Sequence, residues 1–138
     1  MHKVLAIETS CDETSVSIVS NIGDIFKIHS NIIASQIEDH SKWGGVVPEL
    51  AARKHLELLP FVLEKALTES KIKIEEIDYI ASTVAPGLVG CLRVGSEMCI
   101  RDRIQGLQLM LCSQSPQYLF LILLKPFLKQ KVATLNVF

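Results

Sequence analysis

Apolar and polar positions change their spacing several times in the first part of the chain, and each change marks a predicted element. Residues 4–7 form an unbroken apolar run, which is typical of a strand buried on both faces of a sheet. Residues 8–14 are acids and hydroxyl-bearing residues apart from Cys11, and apolar residues return from Val16 onward with serines between them. The pattern predicts a hairpin made of a strand, a tight polar turn and a second strand.

A third strand and a loop are expected next. Residues 21–24 carry a turn signal with Asn, Gly and Asp, and residues 25–34 are mainly apolar. Three successive strands of this kind predict an antiparallel meander. Residues 35–45 are polar and end in a Gly-Gly pair, so they predict a loop whose backbone can turn tightly or approach another group closely.

Residues 46–70 predict a long helix. Pro48 suits its first turn, and Pro60 lies inside the pattern, where the loss of one backbone hydrogen bond is expected to kink the helix. One apolar stripe recurs at helical spacing and predicts the buried face. The stripe consists of Leu59, Val62, Leu63, Ala66 and Leu67.

A further strand and a second helix follow. Residues 77–84 predict a strand, and residues 85–90, with the sequence APGLVG, predict a turn into a helix. Such a turn presents free N–H groups and the helix dipole, which is the usual physics of an anion site; glycine is also used there for geometry alone. Three strands, a helix, a strand and a helix predict an α/β domain with a mixed sheet.

The composition narrows the class of protein. The chain has 138 residues, 49% of them hydrophobic and 21% charged, which suits one globular domain. Its net charge of -1 shows no basic footprint for nucleic acid. The four cysteines form no CxxC pair and the N-terminus does not resemble a signal peptide, so a cytoplasmic protein without a zinc cage is expected.

The turn of the first hairpin is the strongest candidate for chemistry. Its backbone N–H groups and small hydroxyls could receive a phosphate, while a carboxylate could position a metal or a water molecule. The alternative is an ordinary solvated hairpin turn, because polar residues are common between strands for conformational reasons.

Three motifs, in order, extend this interpretation: IETSCDET, SQIEDHSKWGGVVPELAARKHLELLP and ASTVAPGLVG. Together they resemble the N-terminal part of the tRNA adenosine threonylcarbamoyltransferase family (Gcp/Kae type), formerly described as O-sialoglycoprotein endopeptidases. The resemblance covers residues 3–94. It implies the first ribonuclease-H-like lobe of the actin-like ATPase fold, an α/β lobe that is incomplete here and contains a mixed sheet.

The resemblance also implies an activity for the full-length family member. That enzyme transfers a threonylcarbamoyl group from threonylcarbamoyl-AMP to the exocyclic amine of the adenosine next to the anticodon in tRNA, giving t(6)A. The family implies iron or zinc as the cofactor. It implies tRNA, a smaller paralogous subunit and an ATPase as partners, and no membrane.

The resemblance assigns roles by position. It implies Asp12 and Glu13 as catalytic carboxylates. Residues for substrate or nucleotide binding are Thr9, Ser10, Gly87 and Gly90, and residues at the active-site rim or partner interface are His40, Glu49, Arg53 and His55. Other interpretations stay open for three of them: Glu49 suits a helix start, Arg53 suits an i,i+4 ion pair with it, and His55 suits a surface or satisfied histidine.

The chain also departs from the family. No histidine follows His55, so the family's histidine pair is missing and no metal is expected to bind this chain. Residues 94–103, VGSEMCIRDR, resemble a translated sequencing adapter. Residues 1–94 are therefore expected to form a partial actin-like lobe and residues 95–138 an aberrant chimeric or frameshifted tail. The alternative is a divergent helix over residues 88–112, a strand over 118–124 and a basic end.

Three functional hypotheses remain. The first is a fragment of the transferase that is inactive alone; the second is a non-catalytic paralogue that binds the catalytic subunit. The third, a metalloendopeptidase, finds little support because the sequence has no HExxH motif. The isolated chain is expected to be marginally stable or unfolded, since apolar surface and sheet edges would stay exposed.

Overall fold

The computed structural model describes residues 1–23, 25–101 and 108–112. Their elements follow the order predicted from the apolar pattern, with three additions: a short helix, a 3-10 turn and a strand at the end. In chain order they are β1 (His2–Glu8), β2 (Glu13–Ile22), β3 (Ile25–Ser35), α1 (Ile37–Ser41), α2 (Pro48–Ser70), a 3-10 turn (Ile74–Glu76), β4 (Tyr79–Thr83), α3 (Val89–Arg101) and β5 (Gln108–Cys112). The loop predicted over residues 35–45 is therefore wrong for residues 37–41, which form a helix with Glu38 and Asp39 in its first turn.

The five strands form one mixed sheet in the order β3-β2-β1-β4-β5. The first three strands are the predicted antiparallel meander, whereas β4 runs parallel to β1 and β5 parallel to β4. Parallel pairing brings the carboxyl ends of β1 and β4 to the same edge of the sheet, with Ile7 opposite Ser82. The polar turn after β1 therefore lies beside the end of β4.

Helix α2 covers one face of the sheet and closes the core. Its buried side chains include Leu59, Val62 and Ala66, and they belong to the same cluster as apolar residues of β1, β2, β3 and β4. The strand residues of that cluster are Leu5, Ile7, Val16, Ile18, Ile32 and Ile80. Burial of these side chains is the main favourable contribution to folding, at about 25 cal/mol per Å² of apolar surface.

The long helix predicted over residues 46–70, α2, begins two residues later than the sequence pattern indicates. Val47 is its N-cap in an extended conformation and Pro48 takes the first helical position, where a missing N–H costs nothing. The helix continues through Pro60 and ends at Ser70, after which Lys71 adopts a left-handed conformation with φ of 56°. The strand expected over residues 77–84 is shorter and spans Tyr79–Thr83. Ile77 is instead the C-cap of the 3-10 turn that precedes it.

The alternative prediction of a single helix over residues 88–112 is wrong. Helix α3 ends at Arg101, and residues 108–112 form β5 at the edge of the sheet. The QLMLC segment is a short apolar run, which suits a strand as well as a helix. The strand predicted over residues 118–124 and the basic end at Lys125, Lys129 and Lys131 lie outside the described residues.

None of the helices in the described ranges has the length and apolar character needed to cross a membrane.

Apolar side chains lie exposed on the sheet and on α2. The exposed set on these elements comprises Ile22, Ile25, Ile28, Ile33, Leu56 and Phe61. Four of the six lie on or beside β3, which is an edge strand with one unpaired side.

The isolated 138-residue chain is therefore expected to self-associate and to lack a sharp unfolding transition. The measurement is size-exclusion chromatography combined with thermal unfolding followed by circular dichroism. Monomeric elution together with a cooperative transition would contradict this expectation. Replacing Ile25 and Ile28 by lysine should reduce association if the β3 edge causes it, whereas the same change at exposed Glu75 and Glu69 should not.

Candidate functional site

The turn between β1 and β2, residues 9–12, is held against the rest of the lobe by hydrogen bonds; we refer to it as the hairpin tip. The Thr9 hydroxyl donates to the Cys91 carbonyl of α3 over 2.8 Å, and the Leu88 N–H donates to the Ser10 carbonyl over 2.7 Å. Thr9 is 1% exposed and Ser10 5% exposed. The first half of the tip is thus packed into the fold, unlike the solvated hairpin turn of the alternative interpretation, while Cys11 is exposed.

Glu8, the last residue of β1, adds a buried carboxylate directly beneath the tip. One of its oxygens accepts a hydrogen bond from the Ser10 N–H over 2.5 Å, and the other accepts from the Thr83 hydroxyl at the end of β4. A buried carboxylate is costly unless its oxygens are hydrogen-bonded, and both are. Sequence analysis did not select Glu8, although its place at the end of a buried strand was a usable signal.

The two glycines of the turn before α3 have different surroundings. A Cβ added to Gly87 would lie 2.5 Å from the Ser10 carbonyl oxygen and 2.7 Å from the Ser10 Cβ, so the close approach of this loop to the tip requires glycine. Gly90 lies in the first turn of α3, and a Cβ added to it would meet the Ala52 Cβ of α2 at 3.5 Å. The structure therefore brings Gly87 to the tip and places Gly90 at the contact between α2 and α3.

The acidic residues of the tip differ in exposure. Asp12 is half-buried, Glu13 is exposed at the start of β2, and the Asp12 carbonyl accepts a hydrogen bond from the Gln36 N–H over 2.9 Å. The thiol of Cys11, the residue before Asp12, has a raised pKa. Desolvation is the main cause, followed by its hydrogen bond to Asp12 and the nearby carboxylates. Cys11 consequently stays a protonated thiol near neutral pH, which argues against a nucleophilic role.

The two histidines of the predicted rim are buried in the described structure. His40 is 3% exposed and His55 is completely buried. The Nε2 atom of His55 lies 3.0 Å from the Cys11 carbonyl, and its Nδ1 lies 2.7 Å from the Thr14 hydroxyl. His55 matches the interpretation as a satisfied buried histidine, yet its partners belong to the hairpin that carries the tip.

Glu49 and Arg53 occupy the solvent-facing side of α2. Their side chains form an i,i+4 ion pair of 2.5 Å and are 78% and 71% exposed. This is the pairing that the helix spacing suggested, and an exposed pair of this kind contributes little to stability. The exposure leaves both side chains accessible to a partner, whereas Thr9 and Ser10 of the tip are buried.

Metal-binding residues do not gather in the described part of the chain. Within residues 1–23, 25–101 and 108–112, no group of three or more His, Cys, Asp or Glu side chains could hold a metal ion. Both ring nitrogens of His55 already have protein partners. The donor set around the tip therefore does not fit the metal centre that the family resemblance implies.

The mixed sheet with its antiparallel meander matches the predicted first lobe of an actin-like ATPase fold. YeaZ from Pseudomonas aeruginosa shares the fold, with a TM-score of 0.54 and 15% identity over 82% of this chain and 43% of YeaZ. A second Pseudomonas aeruginosa protein, described as similar to peptidase YEAZ, shares it with a TM-score of 0.56 and 18% identity over 82% of this chain and 44% of that protein.

Sequence comparison identifies the family. The profile of the tRNA N6-adenosine threonylcarbamoyltransferase family matches residues 27–100, and the chain belongs to this family of transferases. Enzymes of that name from Prochlorococcus marinus strains MIT 9312 and NATL2A are 96% and 52% identical to it over 96 residues, which are 70% of this chain. The chain spans 27% of the length of these relatives.

Proposed function

We propose that residues 1–94 supply the first lobe of an enzyme that transfers a threonylcarbamoyl group from threonylcarbamoyl-AMP to the exocyclic amine of the adenosine next to the anticodon in tRNA. The observation that carries the proposal is the 96% identity over 96 residues to a transferase of this name. The full activity belongs to the longer protein, because this chain corresponds to 27% of that relative. The proposed enzyme works in the cytoplasm.

The tip supports this proposal because of what the reaction requires. The amine attacks the carbonyl carbon, the bond from that carbon to the phosphate oxygen breaks, and AMP leaves. The site must stabilise charge on the carbonyl oxygen and the leaving phosphate, and it must accept the proton of the amine. We assign the proton-handling role to Asp12, the half-buried last residue of the tip, with exposed Glu13 as the second carboxylate.

The other predicted binding residues take different parts in the proposal. The Thr9 hydroxyl is engaged with the Cys91 carbonyl, so Thr9 supports the tip, and Gly87 lets the loop approach Ser10. We propose that substrate phosphate meets the tip at this junction. Gly90 faces α2 and is assigned no substrate contact.

The cofactor and partners of the proposed enzyme come from the family resemblance. The family implies iron or zinc, and since the described residues do not fit such a centre, no step is assigned to a metal here. The proposed partners are tRNA, the smaller paralogous subunit and an ATPase. The exposed Glu49–Arg53 pair and its helix lie on a surface accessible to such a subunit.

A hybrid enzyme tests the proposed function. It joins residues 1–94 of this chain to the remaining part of the transferase from Prochlorococcus marinus strain MIT 9312. The hybrid is expected to form t(6)A in unmodified tRNA at a rate within about threefold of the native relative, because so few residues of the lobe differ. A folded hybrid that binds the partner subunit without acylating tRNA would support the non-catalytic paralogue instead.

We further propose that residues 95–138 are a chimeric or frameshifted tail with no part in the transfer reaction. The adapter-like sequence at residues 94–103 motivates the proposal, although α3 runs across this boundary to Arg101. Long-read resequencing of the source DNA from the Pro86 codon to the stop codon is the test. An adapter-free read with an in-frame histidine pair would support the proposal, and an identical read would overturn it.

A further inference from the structure

We propose that His55 and Gln36 are positioning residues that fix the conformation of the hairpin tip for the transfer reaction. The inference rests on the proposed function, because it assigns these residues to the same site. Neither side chain is expected to touch substrate: both are completely buried. The His55 ring and the Gln36 backbone N–H bond the two consecutive carbonyl groups that flank the Asp12 side chain, and the Gln36 side chain holds the His55 ring.

Those two carbonyl groups are held by donors from outside the hairpin. The Cys11 carbonyl accepts from His55 Nε2 over 3.0 Å, and the Asp12 carbonyl accepts from the backbone N–H of Gln36 over 2.9 Å. With both neighbouring peptide planes held, the direction in which the Asp12 side chain leaves the backbone is fixed. Reaction rates depend steeply on such placement, with about 100-fold lost for a 1 Å displacement.

The hydrogen bonds specify one arrangement of protons on His55. A carbonyl oxygen only accepts, so Nε2 carries the hydrogen and the neutral ring leaves Nδ1 as an acceptor. Two donors meet that acceptor: the Thr14 hydroxyl at 2.7 Å and the Gln36 side-chain nitrogen at 3.3 Å. The same Gln36 nitrogen lies 3.4 Å from the Ala51 carbonyl. The buried polar atoms are therefore matched donor to acceptor.

His40 extends the network to the start of α2. The Val47 N–H donates to its Nδ1 over 3.3 Å, so its Nε2 carries the hydrogen and donates to the Gln36 side-chain oxygen over 3.1 Å. Val47 is the N-cap of α2. The network thus runs from the N-cap through His40, Gln36 and His55 to the tip, and each link has only one possible direction of donation.

Protonation of His55 would reverse one of these links. A second hydrogen on Nδ1 would turn the Thr14 hydroxyl from donor to acceptor, and it would break the link to the Gln36 amide nitrogen, which only donates. Desolvation, the main cause, lowers the pKa of His55; the Cys11 carbonyl and the carboxylates of Glu8 and Asp12 raise it, and His40 lowers it. Because the net shift is downward from 6.5, the neutral network persists near pH 7 and is lost only as the pH falls.

The experiment uses the hybrid enzyme with His55→Leu, which fills the site without a donor, and His55→Gln, which restores an amide donor near Nε2. His55→Leu is expected to lower kcat by about 10- to 100-fold with a smaller change in KM, and His55→Gln should recover part of the loss. The matched control is Leu59→Ala, one turn further along the same buried face, which lowers stability but should leave the kcat of the folded enzyme unchanged.

A pH profile separates positioning from a purely structural role. The parent hybrid should lose kcat as the pH falls through the His55 pKa, and His55→Gln should flatten that acid limb. Should His55→Leu not fold, Thr14→Val removes only the hydroxyl donor to Nδ1 and is measured in its place. Native kcat and an unchanged pH profile in the folded variants would overturn the inference. An inactive parent hybrid would instead overturn the proposed function.

Discussion

The Gly87→Ala variant of the hybrid enzyme is expected to lose transfer activity by about 100-fold or more, and to lose about 1–3 kcal/mol of stability. The added methyl group would lie 2.5 Å from the Ser10 carbonyl oxygen, and backbone cannot yield as the end of a flexible side chain can. Either the loop or the tip must move. A displaced loop also breaks the 2.7 Å hydrogen bond from the Leu88 N–H to the Ser10 carbonyl.

Gly45→Ala provides the matched control for this variant. A Cβ at Gly45 would meet no atom within 4 Å, so the same change of residue type should leave both the rate and the unfolding midpoint near their parent values. The measurements are single-turnover acyl transfer to tRNA and urea unfolding. A Gly87→Ala enzyme with parent activity would mean that the tip tolerates displacement and does not take part in the reaction.

The second large effect is expected from Asp12→Asn, which should lower kcat by about 100-fold or more while the enzyme stays folded. The substitution keeps the size of the side chain and leaves the Asp12 backbone carbonyl with its Gln36 partner. It removes the charge and the basic oxygen that the proposal assigns to the amine proton. A small change in KM for tRNA together with a large fall in kcat would match a role in the transition state.

Glu38→Gln is the control for loss of a carboxylate. Glu38 is exposed in the first turn of α1 and belongs to no ion pair among those described, so its neutralisation should change kcat by less than about twofold. Glu13→Gln completes the set, because Glu13 is exposed where Asp12 is half-buried. Equal losses for Asp12→Asn and Glu38→Gln would point to a general electrostatic effect and would contradict the assignment of Asp12.

The fold was predictable wherever a local pattern determines an element. The meander follows from alternating apolar residues and the turn at Gly23, and α2 follows from one apolar stripe after Pro48. The end of α3 was not predictable from the same signals, since residues 88–112 are apolar enough for either helix or strand. There the pairing of β5 with β4, a contact made by tertiary structure, decides the outcome.

The site was only partly predictable, because its hydrogen bonds join residues far apart in the chain. The motif at the tip identified Thr9, Ser10 and Asp12 as a group, but not the buried partners that hold them. Thr83 is 75 residues from Glu8, and Cys91 is 82 residues from Thr9. Gln36 looked like an ordinary loop residue, and only its position between two buried histidines reveals its part in the network.

The central place of β1 in the sheet has a consequence for the order of folding during synthesis. The meander can pair as soon as residue 35 has left the ribosome. The pairing of β1 with β4, and the hydrogen bond from the Thr9 hydroxyl to the Cys91 carbonyl, can form only after β4 and Cys91 have been synthesised. Contacts over such long separations form late, because they require closure of a large loop. The residues of the polar tip are therefore the first of the site to be synthesised. Their hydrogen bonds to the rest of the lobe are the last to form.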